Sequence, residues 1–351
     1  MGTCIGCLHM KKPKTIAQPT EPRLPLIKSF KLPTELNKNL QVLCNSYSAL
    51  YLLDNEASDH KDLLSDHTPE ITSRPIQFWG SCNGLLLVTT RRKEDLEDMY
   101  LWNPCTHEFM KIPYTKTSPK HNADHQIAFG LGYNEVSKDY EILRVLSYSA
   151  DKVYYSEVEV FSLRTNSWRR IEDIPYIVRS INYMVKQGEL VNGALHWAVY
   201  HSRAVLVIAY DVKDEKFTEV VLPAVYDKTD LSISIHVAAL HEYLCVSFHY
   251  ENHAEAWIMM EYGMKDSWKK LYDITEASTT CRIDSEHLKP LCFMKEKSEI
   301  LLCDHTSLYV YDTEDRSLRG LIVENHPERV YQATTYTEST VRLHQENTTE
   351  I

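Results

Sequence analysis

Glycine is scarce in this chain, with ten copies among 351 residues. A strand-rich protein of this length must then make many tight turns from Asn, Asp, Ser and Lys. Long apolar runs are missing too. No segment approaches the roughly 18 apolar residues of a membrane span, and the first residues lack the apolar stretch of a secretory signal. Positive charge is not in excess: 38 Lys and Arg face 49 Asp and Glu, a net charge of −11. That balance gives no footprint for phosphate backbones, so no nucleic-acid partner is expected. A cysteine framework is also lacking. Cysteines stand at positions 4, 7, 44, 82, 105, 245, 281, 292 and 303. The count is odd and the spacing irregular, which fits reduced thiols in the cytosol or nucleus.

What is present points to a globular protein. Hydrophobic residues make up 43% of the chain, too many for general disorder. Tyrosine is abundant, with 22 copies, and there are six tryptophans. Residues 1–35 read as a flexible arm. Lys11, Lys12, Lys14, Arg23, Lys28 and Lys31 face a single Glu21, and Pro13, Pro19, Pro22 and Pro25 prevent a continuous helix. The globular part is expected over residues 36–343, with a disordered tail at 344–351.

The globular part repeats itself. Phe109, Trp168, Phe217 and Trp268, with Leu318 in the equivalent slot, recur at intervals near 50 residues. Ten before the slot stand Met99, Val158, Val207, Ile258 and Leu308, and eight before it Leu101, Val160, Ala209, Met260 and Val310. Seven before it stand Trp102, Phe161, Tyr210, Glu261 and Tyr311. Six before it stand Asn103, Ser162, Asp211, Tyr262 and Asp312. Apolar residues at alternate positions set one strand face against a core, and the polar stretch that follows is turn chemistry. Each unit is a strand–turn–strand hairpin whose returning strand opens on the slot residue. A further strand-like stretch precedes each hairpin, for example Leu85–Val88 and Ala194–Val199. Asn83-Gly84 and Asn192-Gly193 supply turns at the start of those two.

This period is the signature of an all-β propeller, here expected with six to eight blades. A weaker unit lies between residues 40 and 80. Strands around Tyr331–Val341 are expected to pair with it and close the ring. The slot aromatics are read as structural. A buried Trp at position 168 implies a loss of roughly 3–5 kcal/mol for Trp168→Ala.

Catalytic patterns are thin. No GxSxG, phosphate-binding loop or dinucleotide fingerprint occurs. His121 and His125 stand four apart, as do His249 and His253, but neither pair carries the Glu of a zinc-protease helix in place. Cys4 and Cys7 have the spacing of half a zinc knuckle and lack a second pair. No metal, no cofactor and no catalytic residue is expected, and the protein reads as a non-enzyme. The start Met1-Gly2-Thr3-Cys4-Ile5-Gly6-Cys7 invites comparison with lipidated termini: Gly2 as myristoylation site, Cys4 and Cys7 as palmitoylation sites, lysines beyond. Gly6 stands where that motif wants Ser or Thr, and an unmodified tail is the preferred reading. Membrane contact is expected only through this arm, if it is lipidated.

Six segments occur in an order that belongs to a known family. They are Phe78–Val88 (FWGSCNGLLLV), Leu101–Pro113 (LWNPCTHEFMKIP), Phe129–Val145 (FGLGYNEVSKDYEILRV), Val158–Ile171 (VEVFSLRTNSWRRI), Gly188–Val199 (GELVNGALHWAV) and Val207–Pro223 (VIAYDVKDEKFTEVVLP). The series resembles the F-box-associated interaction domain of plant F-box proteins, of the F-box/kelch-repeat type. The resemblance implies the substrate-recognition part of an SCF-type ubiquitin ligase. In that family an N-terminal F-box binds a Skp-type adaptor and the propeller holds a client protein. Ubiquitin chemistry then happens on other subunits. Here only Leu32-Pro33-Thr34-Glu35-Leu36 is similar to the start of an F-box, so the adaptor contact is in question. The alternative is an F-box-less scaffold or decoy. Propeller architecture puts client-binding residues on loops at one end. The candidates are Ser118, His121 and His125 in one loop, and Glu251 and His253 in another.

Overall fold

The computed structural model describes residues 28–31, 40–45, 50–54, 76–91, 97–115, 125–150, 153–178, 186–202, 204–227, 230, 232–276, 279, 281, 283–294, 298–304, 306–321 and 332–343. Among them there is no α-helix, and strands account for nearly all regular structure.

The strands form six groups of four. The first contains β1 (Lys28–Lys31), β2 (Leu40–Asn45) and β3 (Leu50–Asp54), completed by the last strand of the chain, β24 (Gln332–Thr337). The second is β4 (Ile76–Cys82), β5 (Leu85–Arg91), β6 (Glu97–Asn103) and β7 (Glu108–Lys111). The third is β8 (His125–Asn134), β9 (Asp139–Ala150), β10 (Val153–Ser162) and β11 (Ser167–Arg170). The fourth is β12 (Lys186–Val191), β13 (Ala194–His201), β14 (Ala204–Asp211) and β15 (Lys216–Val220). The fifth is β16 (Ser234–Leu240), β17 (Tyr243–His249), β18 (His253–Met259) and β19 (Trp268–Thr275). The sixth is β20 (Lys289–Met294), β21 (Glu299–Cys303), β22 (Leu308–Asp312) and β23 (Ser317–Gly320).

Each group is a blade; its innermost strand is the first of the group in the second to sixth blades and β24 in the first. The inner strands touch in sequence from β24 to β4, β8, β12, β16 and β20, and β20 returns to β24. The ring is a six-bladed propeller, at the lower end of the expected range. It closes as anticipated: β24 pairs antiparallel with β2. Between the third and fourth blades the inner strands also pair directly, β12 parallel to β8. Gly188 makes this approach fit, because a Cβ there would lie 2.4 Å from the buried Trp197 ring.

The repeated columns have a hydrogen-bond explanation. Six before the slot, Asn103, Asp211 and Asp312 each accept two turn amides on Oδ1. Ser162 Oγ accepts the Thr165 amide. These Asx-type turns need a short polar side chain. Two before the slot, His107, Asn166, Glu215 and Arg316 all take positive φ, between 48° and 58°. The turns therefore run largely without glycine.

The slot residues bridge blades. Trp168 Nε1 donates to the Pro113 carbonyl at 2.7 Å, and Trp268 Nε1 to the Val221 carbonyl at 2.9 Å. Pro113 and Val221 each stand four residues past the slot of the preceding blade. The same bond is thus made twice around the ring. Phe109, Trp168 and Phe217 also meet the rings seven before them, Trp102, Phe161 and Tyr210, at 4.9–5.5 Å. Trp268 is 8% exposed. Phe109, Trp168 and Phe217 are only half-buried, because the fourth strand of each blade is its outer edge.

Two readings need correction. In the fifth blade, Trp268 lies opposite Met259 rather than Glu261. The turn there runs from Met260 to Ser267 and takes up its extra length in a 3-10 turn, Lys265–Ser267. Met260, Glu261 and Tyr262 therefore sit on an exposed loop, where a fixed spacing had placed them in the repeat columns. In the arm, Lys28–Lys31 is a strand, parallel to β3. It fills the outer position that a returning hairpin strand takes in the other blades. Residues 1–27, 32–35 and 344–351 lie outside the described residues.

After β24 the chain straps the second blade. Asn103 Nδ2 donates to the Ser339 and Val341 carbonyls, and the Leu343 amide donates to Glu108 Oε2 at 2.7 Å. Leu343 is buried between the second and third blades.

Candidate interaction face

Strand direction sorts the loops into two sets. The turns from second to third strand and the connections between blades emerge at one end of the propeller. The turns from first to second and from third to fourth strand emerge at the other. Both candidate binding loops belong to the first set. Glu251 lies in the turn between β17 and β18, exposed, and His253 opens β18, stacked on Tyr250 with centroids 4.2 Å apart. His125 is exposed and opens β8, opposite Tyr148. Ser118 and His121, like Gly2, Cys4 and Cys7, lie outside the described residues. The structure thus brings His125, Glu251 and His253 to one end, on different blades.

The remaining histidine of the metal search is elsewhere in character. His249 is buried, its Nδ1 against the Ser285 carbonyl and its Nε2 against Ser247 Oγ. Both ring nitrogens are engaged by protein, so His249 and His253 do not act as a pair. Among the described residues no three His, Cys, Asp or Glu side chains gather around a common point.

The sequence reading missed the tyrosines of this end. Tyr114, Tyr148, Tyr176 and Tyr250 lie on four successive connections and strand ends. Each donates its hydroxyl to a carboxylate: Tyr114 to Asp98 at 2.6 Å, Tyr148 to Glu157 at 2.8 Å, Tyr176 to Glu219 at 3.1 Å, Tyr250 to Glu255 at 3.4 Å. Tyr226 donates to the Val205 carbonyl. The hydrogen bond to Glu157 raises the Tyr148 pKa, and burial followed by Glu219 raises that of Tyr176. These phenols remain neutral donors. A tethered hydroxyl fixes the ring; Tyr148 and Tyr250 are further held by stacking on Tyr155 and His253, and Tyr114 is 55% exposed. Rigid tyrosines of this kind give contact area at low entropic cost, as they do in antibody loops.

The β9–β10 hairpin stands out among them. Its strands are 12 and 10 residues long, against seven or eight in the corresponding hairpins of the second, fourth and fifth blades. Its outer partner β11 covers only Glu159–Ser162. The hairpin tip carries Tyr154 at 59% and Tyr155 at 45% exposure, and Tyr155 stacks on Tyr148 at 5.5 Å. Both rings therefore stand in solvent at the tip of the hairpin. The available signal was the surplus of tyrosine. The placement of these rings on this end required the topology.

Glu172, Asp173, Asp227, Asp230, Glu251 and Glu276 are exposed on the loops of this end. No Lys or Arg occurs among the described residues of the same loops.

Comparison with known proteins gives a consistent family. The sequence pattern of the F-box associated beta propeller domain matches residues 42–343. The F-box protein CPR1 of Arabidopsis thaliana is 26% identical over 311 residues, 82% of this chain and 73% of CPR1. A second Arabidopsis thaliana F-box protein is 30% identical over 256 residues, 65% of this chain and 58% of that protein. This chain thus spans under two thirds of the second relative. Among solved structures, TolB from Acinetobacter baumannii aligns at 11% identity and a TM-score of 0.48, covering 88% of this chain and 68% of TolB.

Proposed function

The chain belongs to the F-box associated beta propeller domain family, and from that premise we propose that it is a non-catalytic substrate receptor of an SCF-type ubiquitin ligase. The client protein docks on the end that carries the β9–β10 hairpin. The observation that carries this reading is the match over residues 42–343, joined to the exposed rings of Tyr154 and Tyr155 at the tip of the β9–β10 hairpin. A receptor needs no acid, base or metal of its own. Its work is to hold a partner long enough for another subunit to act.

The test uses the full chain. Y154A/Y155A removes two exposed rings and no packing partner in the core. Affinity purification with the proteasome inhibited should recover a ubiquitinated protein with the wild type. The double variant should recover at least about tenfold less, since two aromatic hot spots of about 1–2 kcal/mol each are lost. Its melting temperature should stay within about 1 °C of wild type. Equal recovery by both forms would remove the docking surface from the reading. Failure to bind a Skp-type adaptor, beside a family member that binds, would leave a client-binding module without a ligase connection.

A further inference from the structure

Alternation along the strands sets three thiols into one seam of the ring. In β2, Val42 and Cys44 face the sixth blade, while Leu43 between them faces the second. In β20 and β21, Cys292, Leu301 and Cys303 face the first blade, while Phe293, Ile300 and Leu302 face the fifth. Cys44, Cys292 and Cys303 thus share one buried cluster, and all three are free thiols. Strand position narrows the pairs. Cys44 is next to last in β2, and Cys303 is last in β21. Both are second strands of their blades and run toward the same end of the propeller. The two residues therefore stand at matching depth on opposite walls of the seam. Cys292 lies deeper, opposite Leu301. The titration of Cys44 shows the same order of proximity: burial raises its pKa first, then Cys303, then Cys292. Two sheets packed face to face can carry a disulfide between them, as the immunoglobulin sandwich does. The seam also joins the two ends of the chain, since β2 comes from its start and β20 and β21 from its end.

We propose that Cys44 and Cys303 form an oxidation site, in which hydrogen peroxide joins them in a disulfide that fastens the first blade to the sixth. The thiolate of one cysteine attacks a peroxide oxygen. The O–O bond breaks, the sulfur becomes a sulfenic acid, and the departing hydroxide takes up the thiol proton as water. The second thiol then attacks the sulfenic sulfur. The S–O bond breaks, the S–S bond forms, and a second water leaves. Two thiols lose two electrons, and one peroxide is reduced to two waters. A dithiol reductant reverses the bond by exchange. Burial holds both thiols above their ordinary pKa, so the closed ring reacts slowly. Local opening of the seam lets a thiolate form and meet peroxide, and the bond closes as the blades repack. The link spans a loop of about 260 residues, and a cross-link over so long a loop strongly restricts the unfolded chain.

The full chain, treated with hydrogen peroxide a few degrees below its melting temperature, is alkylated and mapped by mass spectrometry. A peptide pair linked through Cys44 and Cys303 within one copy should appear, and dithiothreitol should remove it. The oxidised protein should melt at least about 5 °C above the reduced one. Cys303→Ala should abolish both the linked pair and the rise. Mapping of the wild type decides the matter even if that variant folds poorly. A disulfide from Cys44 to Cys292, one from Cys292 to Cys303, or links only between copies would overturn the assignment. So would Cys44 and Cys303 thiols that both remain free after treatment. A Cys44–Cys303 bond with no rise in melting temperature would refute it as a fastening of the ring.

Discussion

Removing the indole of Trp268 tests the inter-blade bridge directly. The side chain is 8% exposed, lies in the cluster between the fourth and fifth blades, and donates to the Val221 carbonyl. A Trp buries about 150–250 Å². At ~25 cal/mol/Å² that is about 4–6 kcal/mol gross. Partial collapse of the site brings the expected cost of Trp268→Ala to roughly 3–5 kcal/mol. Trp268→Phe separates the two contributions. It keeps a ring in the cluster and loses the N–H donor. Val221 is 60% exposed, so water can replace that donor at its carbonyl, and the loss should be about 1–2 kcal/mol. Trp168 makes the same bond from a half-buried position, so Trp168→Ala should cost roughly 2–3 kcal/mol. That is less than its sequence column alone suggests. At about 2 °C per kcal/mol for a domain of this size, calorimetry should show Trp268→Ala melting roughly 6–10 °C below wild type. A drop under about 2 °C, or a larger drop for Trp168→Ala than for Trp268→Ala, would refute the bridge as a main joint of the ring.

Further outcomes follow from the inner strands and from one buried carboxyl. Gly188→Ala forces a methyl against Trp197 and the Gly130 backbone, and should cost about 1–3 kcal/mol by overpacking, read as a lowered midpoint in urea; an unchanged midpoint means the strands can part at no cost. Burial, with Glu215 and Asp139 adding and Arg169 opposing, pushes the Glu141 pKa from an ordinary 4.5 up to about 7. The folded state then holds that proton more tightly than the unfolded chain, so its contribution is full below about pH 4.5 and is lost as pH rises through about 7. Glu141→Gln keeps the shape without the proton and should flatten that slope, a difference on the order of 1–2 kcal/mol between pH 5 and pH 8. Parallel melting-temperature profiles for the two proteins across that range would show that Glu141 does not titrate as argued.

Much of the architecture was legible because it is periodic. Phe109, Trp168, Phe217 and Leu318 fall at constant offsets from their turns since four hairpins share one turn length and one Asx bond. Trp268 broke the pattern because its turn is longer, and no local signal separates a turn residue such as Met260 from a strand residue of equal hydrophobicity. The candidate site was legible only in part. Glu251 lies on the turn between β17 and β18 and His253 opens β18, as loop residues read from the sequence. The tyrosines escaped notice because each looks like an ordinary strand residue in its own segment.

The sequence alone determined that this chain is a ring of repeated hairpins, because turn chemistry and side-chain alternation act over a few residues and repeat; its family came from the resemblance of six segments and the match over residues 42–343. Tertiary structure alone decided that there are six blades and that Lys28–Lys31 supplies the outer strand of the first, parallel to β3. Those are matters of strand direction and of contacts across hundreds of residues. Local pattern carries no record of them, since a strand pairs equally well in either orientation until its neighbours are fixed.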